Sequence, residues 1–154
     1  MSVMRKTILM TVAFLLFYVP GFASIPNDEA SIAGLTVGET GDYVKKLYGE
    51  PNKVYEDGDF RTFHFHALYV TVGKDNLITR ITSHSSSYQS TPAGINFGTP
   101  IKELKKVYGK PDQFAFGING RSYLYSSEDG KKYIEFTYEA DGHMREVRVG
   151  KRDV

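Results

Sequence analysis

Apolar and polar residues alternate along several stretches of the chain. Phe63 and Phe65 alternate with Thr62, His64 and His66; Leu68, Val70 and Val72 with Tyr69 and Thr71; Ile134, Phe136 and Tyr138 with Tyr133, Glu135 and Thr137. A period of two sends successive side chains to opposite sides of a strand. The first set in each stretch is therefore predicted to face a helix, and the second to form a mixed polar and aromatic surface that no helix in the sequence is available to cover. Elsewhere the period lengthens. Val44, Leu47 and Tyr48, and then Ile101, Leu104, Val107 and Tyr108, follow helical spacing over two to three turns. Hairpin signals separate the strands at Asp57-Gly58, Asn119-Gly120, Asp129-Gly130 and Asp141-Gly142, with a further turn around Lys74 to Asn76.

The two helical segments are nearly one sequence written twice. Gly34 to Pro51, GLTVGETGDYVKKLYGEP, aligns without a gap on Gly94 to Pro111, GINFGTPIKELKKVYGKP, at a constant spacing of 60 residues. Gly34, Gly38, Tyr48, Gly49 and Pro51 recur as Gly94, Gly98, Tyr108, Gly109 and Pro111, a fixed-period match that signals repeated supersecondary units. Thr99 is expected as an N-cap and Pro100 as the first helical residue, with Thr40 and Gly41 in those places in the first copy. Gly49 and Gly109 suit a left-handed C-terminal cap, and the prolines after them prevent continuation. The lysine pairs preceding each cap sit at the negative end of the helix dipole. Farther on, LYVTV matches IEFTY and Ile81 matches Val147 at a spacing of 66, the six extra residues falling in the longer turn from Ser126 to Lys132.

The predicted fold class is α+β: two tandem repeats, each a short helix or helical pair packed on a three- to four-stranded antiparallel meander, with the joining of the two sheets left open. The expected divisions are a signal peptide over residues 1–23, an N-terminal segment over 24–33, repeat 1 over 34–83, a polar linker over 84–93, repeat 2 over 94–150 and a tail over 151–154. A unit of some 55 residues buries only about 60% of its unfolded surface, so the two copies are expected to pack on each other.

The signal peptide is read from Arg5 and Lys6, an apolar run from Thr7 to Val19, a Pro20-Gly21 break and small residues before Ser24. The run is short for a membrane span, which needs about 20 residues. Losing Arg5 and Lys6 would leave 17 of the 19 Lys and Arg against 18 Asp and Glu, which removes any basic field for nucleic acid. Cysteine is absent, so neither disulfides nor a lipidated cysteine at the cleavage point can form. A periplasmic or secreted protein with no stable membrane anchor after cleavage is the expectation.

The repeated unit, glycine-spaced, with a short helix closed by Gly-x-Pro and followed by antiparallel strands, resembles the SmpA/OmlA family of small outer-membrane-assembly lipoproteins. In duplicate, from Gly34 to about Gly150, it resembles the tandem arrangement of the β-lactamase inhibitory proteins. The resemblance implies a scaffold whose exposed sheet face binds another protein. The lipidated cysteine of the assembly lipoproteins is missing here.

Candidate chemistry narrows the function further. His64 and His66 would lie on one strand face about 7 Å apart, where His84, His143 or Glu135 could complete a Zn²⁺ or Cu²⁺ site. The acidic turns at Glu56 to Asp59, Glu128 to Gly130 and Glu139 to Gly142 lack the alternating oxygen ligands of a calcium loop. No nucleophile elbow, phosphate-binding loop or HExxH helix is present. The expected function is a non-enzymatic protein-binding module (inhibitor, adaptor or envelope-assembly accessory) acting through His64, His66, Tyr69, Thr71, Tyr133, Glu135 and Thr137. Its partner is another envelope or extracellular protein, and no cofactor is implied. The alternative is a periplasmic metal or small-ligand binder built on His64 and His66; a hydrolase assembled across the two copies is a third reading.

Overall fold

The computed structural model describes residues 24–84 and 89–153. The signal-peptide segment and part of the linker lie outside them. A single 3-10 turn, Asn27–Glu29, leads to α1 (Gly41–Tyr48), then β1 (Lys53–Asp57), β2 (Phe60–His64), β3 (Leu68–Val72) and β4 (Ile78–His84). After the connection come α2 (Ile101–Tyr108), β5 (Gln113–Gly117), β6 (Gly120–Ser126), β7 (Lys132–Tyr138) and β8 (Met144–Lys151). Every hairpin turn expected from the Asp-Gly and Asn-Gly signals falls between consecutive strands.

Two tandem helix-plus-meander units do not describe the architecture. All eight strands form one antiparallel sheet in the order β1-β2-β3-β4-β8-β7-β6-β5. Its centre is the pairing of β4 with β8, from Arg80 opposite Gly150 to His84 opposite Glu146. The cause is backbone satisfaction: left apart, β4 and β8 would each expose a row of unpaired N–H and C=O groups along a flank of apolar residues. The helices, eight residues each, are too short to close two separate cores. One hydrophobic cluster runs through both halves, from Val44, Phe63, Val70 and Ile81 to Leu104, Tyr125, Phe136 and Val149. Burial fades outward, and the edge strands β1 and β5 are exposed at every position.

The repeated residues now have physical roles. Val44 and Leu104 are fully buried on the sheet, while Leu47 and Val107 are 47% and 46% exposed, so each helix buries only a narrow stripe. Lys45 lies over the Phe63 ring and Lys105 over Tyr123, at 5.6 and 5.2 Å, which pins each helix to its second strand by cation–π attraction. The Tyr48 hydroxyl donates to the Ala33 carbonyl. The Tyr108 hydroxyl donates to Glu29 Oε2 at 2.8 Å and lies 2.7 Å from the Thr91 hydroxyl. Both tyrosines thus tie a helix to a segment preceding it. Gly49 and Gly109 close the helices at φ 78°, but with ψ −164° and −149°, a region more strictly reserved for glycine than the expected left-handed cap. Thr40 caps α1 through its hydroxyl as expected. For α2 the cap position falls on Pro100, which has no side chain to cap with, and the Thr99 hydroxyl instead accepts from the Asn96 N–H.

The segment before α1 holds the far half of the sheet. Ile25, 2% exposed, donates its N–H to the Ser126 carbonyl and accepts from the Glu128 N–H, both at 2.9 Å. Asn27 Oδ1 accepts from the Asp129 N–H, and Glu29 reaches Tyr108.

Candidate interaction surface

The helices cover one face of the sheet, and among the described residues no helix packs on the other. The alternation placed His64, Tyr69, Thr71, Tyr133, Glu135 and Thr137 on that open face, and the strand register puts them there together: His64 pairs with Tyr69, Thr62 with Thr71, Glu135 with Arg148 and Tyr133 with Gly150. His66 is the exception. β2 ends at His64, and the Phe65 N–H bonds the Leu68 carbonyl to close the turn. His66 stands exposed in that turn rather than beside His64.

Across the open face runs a continuous strip. The Tyr55 and His64 rings are 4.3 Å apart between centroids, His64 and Tyr69 4.2 Å, and Tyr69 meets His84 edge-on at 5.1 Å. His84 Nδ1 is 3.7 Å from Glu146 Oε2; Arg148 bonds Glu146 at 2.7 Å and lies 3.5 Å from Glu135. Aromatic ladder and ion network therefore link side chains of β1, β2, β3, β4, β8 and β7. Partial burial, and then the Lys53 charge, hold the His64 imidazole below its ordinary value, which favours the uncharged ring at the centre of the ladder. Thr62 and Thr71 share a hydrogen bond at 3.0 Å, as do Ser122 and Thr137. These pairs fix the side chains flanking the strip and leave little rotamer entropy to lose on binding.

The metal candidates do not converge. Among the described residues no group of three His, Asp or Glu side chains stands together as ligands would; His143 pairs with Asp141 in the β7–β8 turn at 3.1 Å. At one end of the open face a shallow groove carries Asp57, Asp59, Asp75 and Asp153 against Lys74, Arg80 and Lys151, a mixture that selects neither simple anions nor cations. Four members of the strip escaped the sequence reading as protein-interaction residues: Tyr55, Glu146, Arg148 and His84, the last considered only as a metal ligand. The alternation in KVYED and REVRV was the signal for the first three. A separate apolar patch, Phe114, Phe116 and Ile118, 56%, 73% and 95% exposed, lies at the β5–β6 edge hairpin.

No family model and no curated protein matches the chain. Among solved structures it is similar to a DUF4309 family protein, YjgB, from Bacillus subtilis, with a TM-score of 0.57 and 20% identity over 84% of this chain and 88% of that one. It is also similar to an extracellular protein containing a SCP domain from Bacillus anthracis, with a TM-score of 0.52 and 8% identity. That match covers 82% of this chain but 48% of the other, so the chain spans about half its length. At these identities the likenesses show the fold alone. Neither structure is described as an assembly lipoprotein or a β-lactamase inhibitor.

Proposed function

We propose that this chain is an exported, non-enzymatic protein-binding module, an inhibitor, adaptor or envelope-assembly accessory, that works through the open face of its sheet. The observation that carries the reading is the strip from Tyr55 to Glu135, half-exposed, prearranged by stacking and ion pairing, and covered by no helix among the described residues. Tyrosine and arginine in such settings dominate the energetics of protein interfaces. The partner is another envelope or extracellular protein, met by aromatic contact on the β1–β4 half and charged contact on the β7–β8 half.

Crosslinking and capture from the native envelope, using tagged protein, tests this. Tyr55→Lys combined with Tyr69→Lys is expected to abolish capture and to leave the unfolding midpoint nearly unchanged, since neither ring belongs to the buried core. Undiminished capture by a folded double variant sinks the proposal. Calorimetric titration with Zn²⁺ and Cu²⁺ separates it from the alternative built on His64 and His66: binding lost in His64→Ala/His66→Ala would favour the metal reading.

A further inference from the structure

Beside the docked N-terminal segment, a small recess is lined by Ser24, Asp112, Gln113, Ser126 and Arg152. Asp112 is anchored at its floor: Oδ2 accepts from the Ser126 N–H at 2.7 Å. Its other oxygen, Oδ1, is buried and has no hydrogen-bond partner among the described residues. Among the described residues Arg152 is the one cation lining the recess, and it spends Nη1 on the Ser126 hydroxyl at 2.6 Å. A buried carboxylate oxygen without a partner is destabilising, and it calls for a donor. Ser24 is held close by because the next residue, Ile25, bonds the Ser126 carbonyl.

We infer that Asp112 is a binding site for an ammonium group, and that its ligand is the chain's own Ser24 α-ammonium, created when the leader is removed. Hydrolysis of the Ala23–Ser24 bond by a signal peptidase consumes one water; Ala23 leaves with a carboxylate and Ser24 keeps the nitrogen. In the uncut chain that nitrogen is a neutral amide with a single N–H. After the cut it carries three donors and a positive charge, the match for a lone buried carboxylate oxygen. The recess then acts as a latch that strengthens the N-terminal clasp only in processed protein. The inference rests on the export reading but not on the protein-binding one.

The test is a thermodynamic cycle on the chain from Ser24 to Val154, which contains every element. A chain beginning one residue earlier, at Ala23, is expected to lose about tenfold in its folded-to-unfolded ratio, the scale of a charge-assisted hydrogen bond. Asp112→Asn is expected to erase the difference between the two starts. Equal stability of the two starts, or a difference that survives Asp112→Asn, overturns the pairing. Should Asp112→Asn not fold, Nα-acetylation of the Ser24 chain serves instead: a matching loss supports the latch and an unchanged ratio overturns it. Mapping the N-terminus of protein recovered from the export compartment tests the cut itself; a start other than Ser24 overturns the processing step, whatever the cycle shows.

Discussion

The phenol end of Tyr133 lies over Gly150, its registered partner on the neighbouring strand, so closely that a Cβ on residue 150 would overlap the ring. An aromatic covering a glycine in this way shields backbone that the glycine leaves bare. Tyr133 was expected to be a partner-binding residue; its nearest task is to seal the sheet. Gly150→Ala is expected to cost about 1–3 kcal/mol by overpacking, measured by urea unfolding. Adding Tyr133→Ala removes the obstacle, so the double variant should be more stable than the sum of the singles implies. Strict additivity would show that the two residues do not contact.

Helix closure gives a second expectation. Gly49 combines φ 78° with ψ −164°, and a Cβ there would meet nothing within 4 Å, so any cost of substitution is backbone strain alone. Gly49→Ala should lose about 1–3 kcal/mol. Gly49→Asn discriminates between conformations: asparagine tolerates the left-handed region, and here it should be no better than alanine. Recovery by asparagine would mean that the cap is left-handed after all.

Tyr48 and Tyr108 occupy the same place in the repeat, yet phenylalanine should distinguish them. Tyr108 is 6% exposed and its hydroxyl serves Glu29 and the buried Thr91; Tyr48 is 38% exposed and bonds one carbonyl beside solvent. Tyr108→Phe strands buried polar groups and should cost about 1–3 kcal/mol, whereas water can replace the lost partner of Ala33 in Tyr48→Phe and the cost should be smaller. Equal losses would place the two hydroxyls in equivalent surroundings.

Alkaline pH should unfold the protein through its buried phenols. Burial pushes Tyr125 up to about 12 and drives Tyr108 and Tyr138 higher still, from an ordinary value of 10.0. Above pH 10 the unfolded chain releases these protons and the folded chain does not, so stability is whole below pH 10 and falls as pH rises toward 12. Near-ultraviolet difference absorbance should show these three ionising together with loss of structure. Titration of all three below pH 11 in a still-folded protein would contradict their burial.

At the other end of the scale, His64 prefers to be neutral in the folded protein. Its contribution is present above its ordinary value of 6.5 and is lost as pH falls toward the depressed folded value. Lys53→Ala should raise the His64 titration midpoint observed by NMR only part of the way to 6.5, because burial is the larger cause. Full recovery would make the lysine the main cause.

Strands, turns and the division of faces were legible because a period of two is a local property. His66 shows where local pattern stops: the alternation continues past His64, but the hydrogen bond from Phe65 to Leu68 ends the strand first. The joining of β4 to β8 was not legible, since Ile78–His84 alternates in the same way whether its flank meets solvent or another strand. Nor did the identical Tyr-Gly-x-Pro motifs reveal that one tyrosine would be buried and the other half-exposed. That difference comes from Glu29 and Thr91, which lie outside the repeated segments. The same holds for the strip: its aromatic members are visible along single strands, but the approach of His84 to Glu146 depends on register across the β4–β8 seam, and that of Arg148 to Glu135 on the pairing of β8 with β7.

The clasp between Ile25 and Ser126 also sets an order of events. A chain that crosses a membrane with its N-terminus leading delivers Ile25 first and the Ser126 carbonyl about a hundred residues later. Until then the first segment has nothing to dock on and β4 has no β8 to pair with, so the long-range contacts form last and closure is slow. The fold thus leaves its chain open at the first segment until nearly all of it is present.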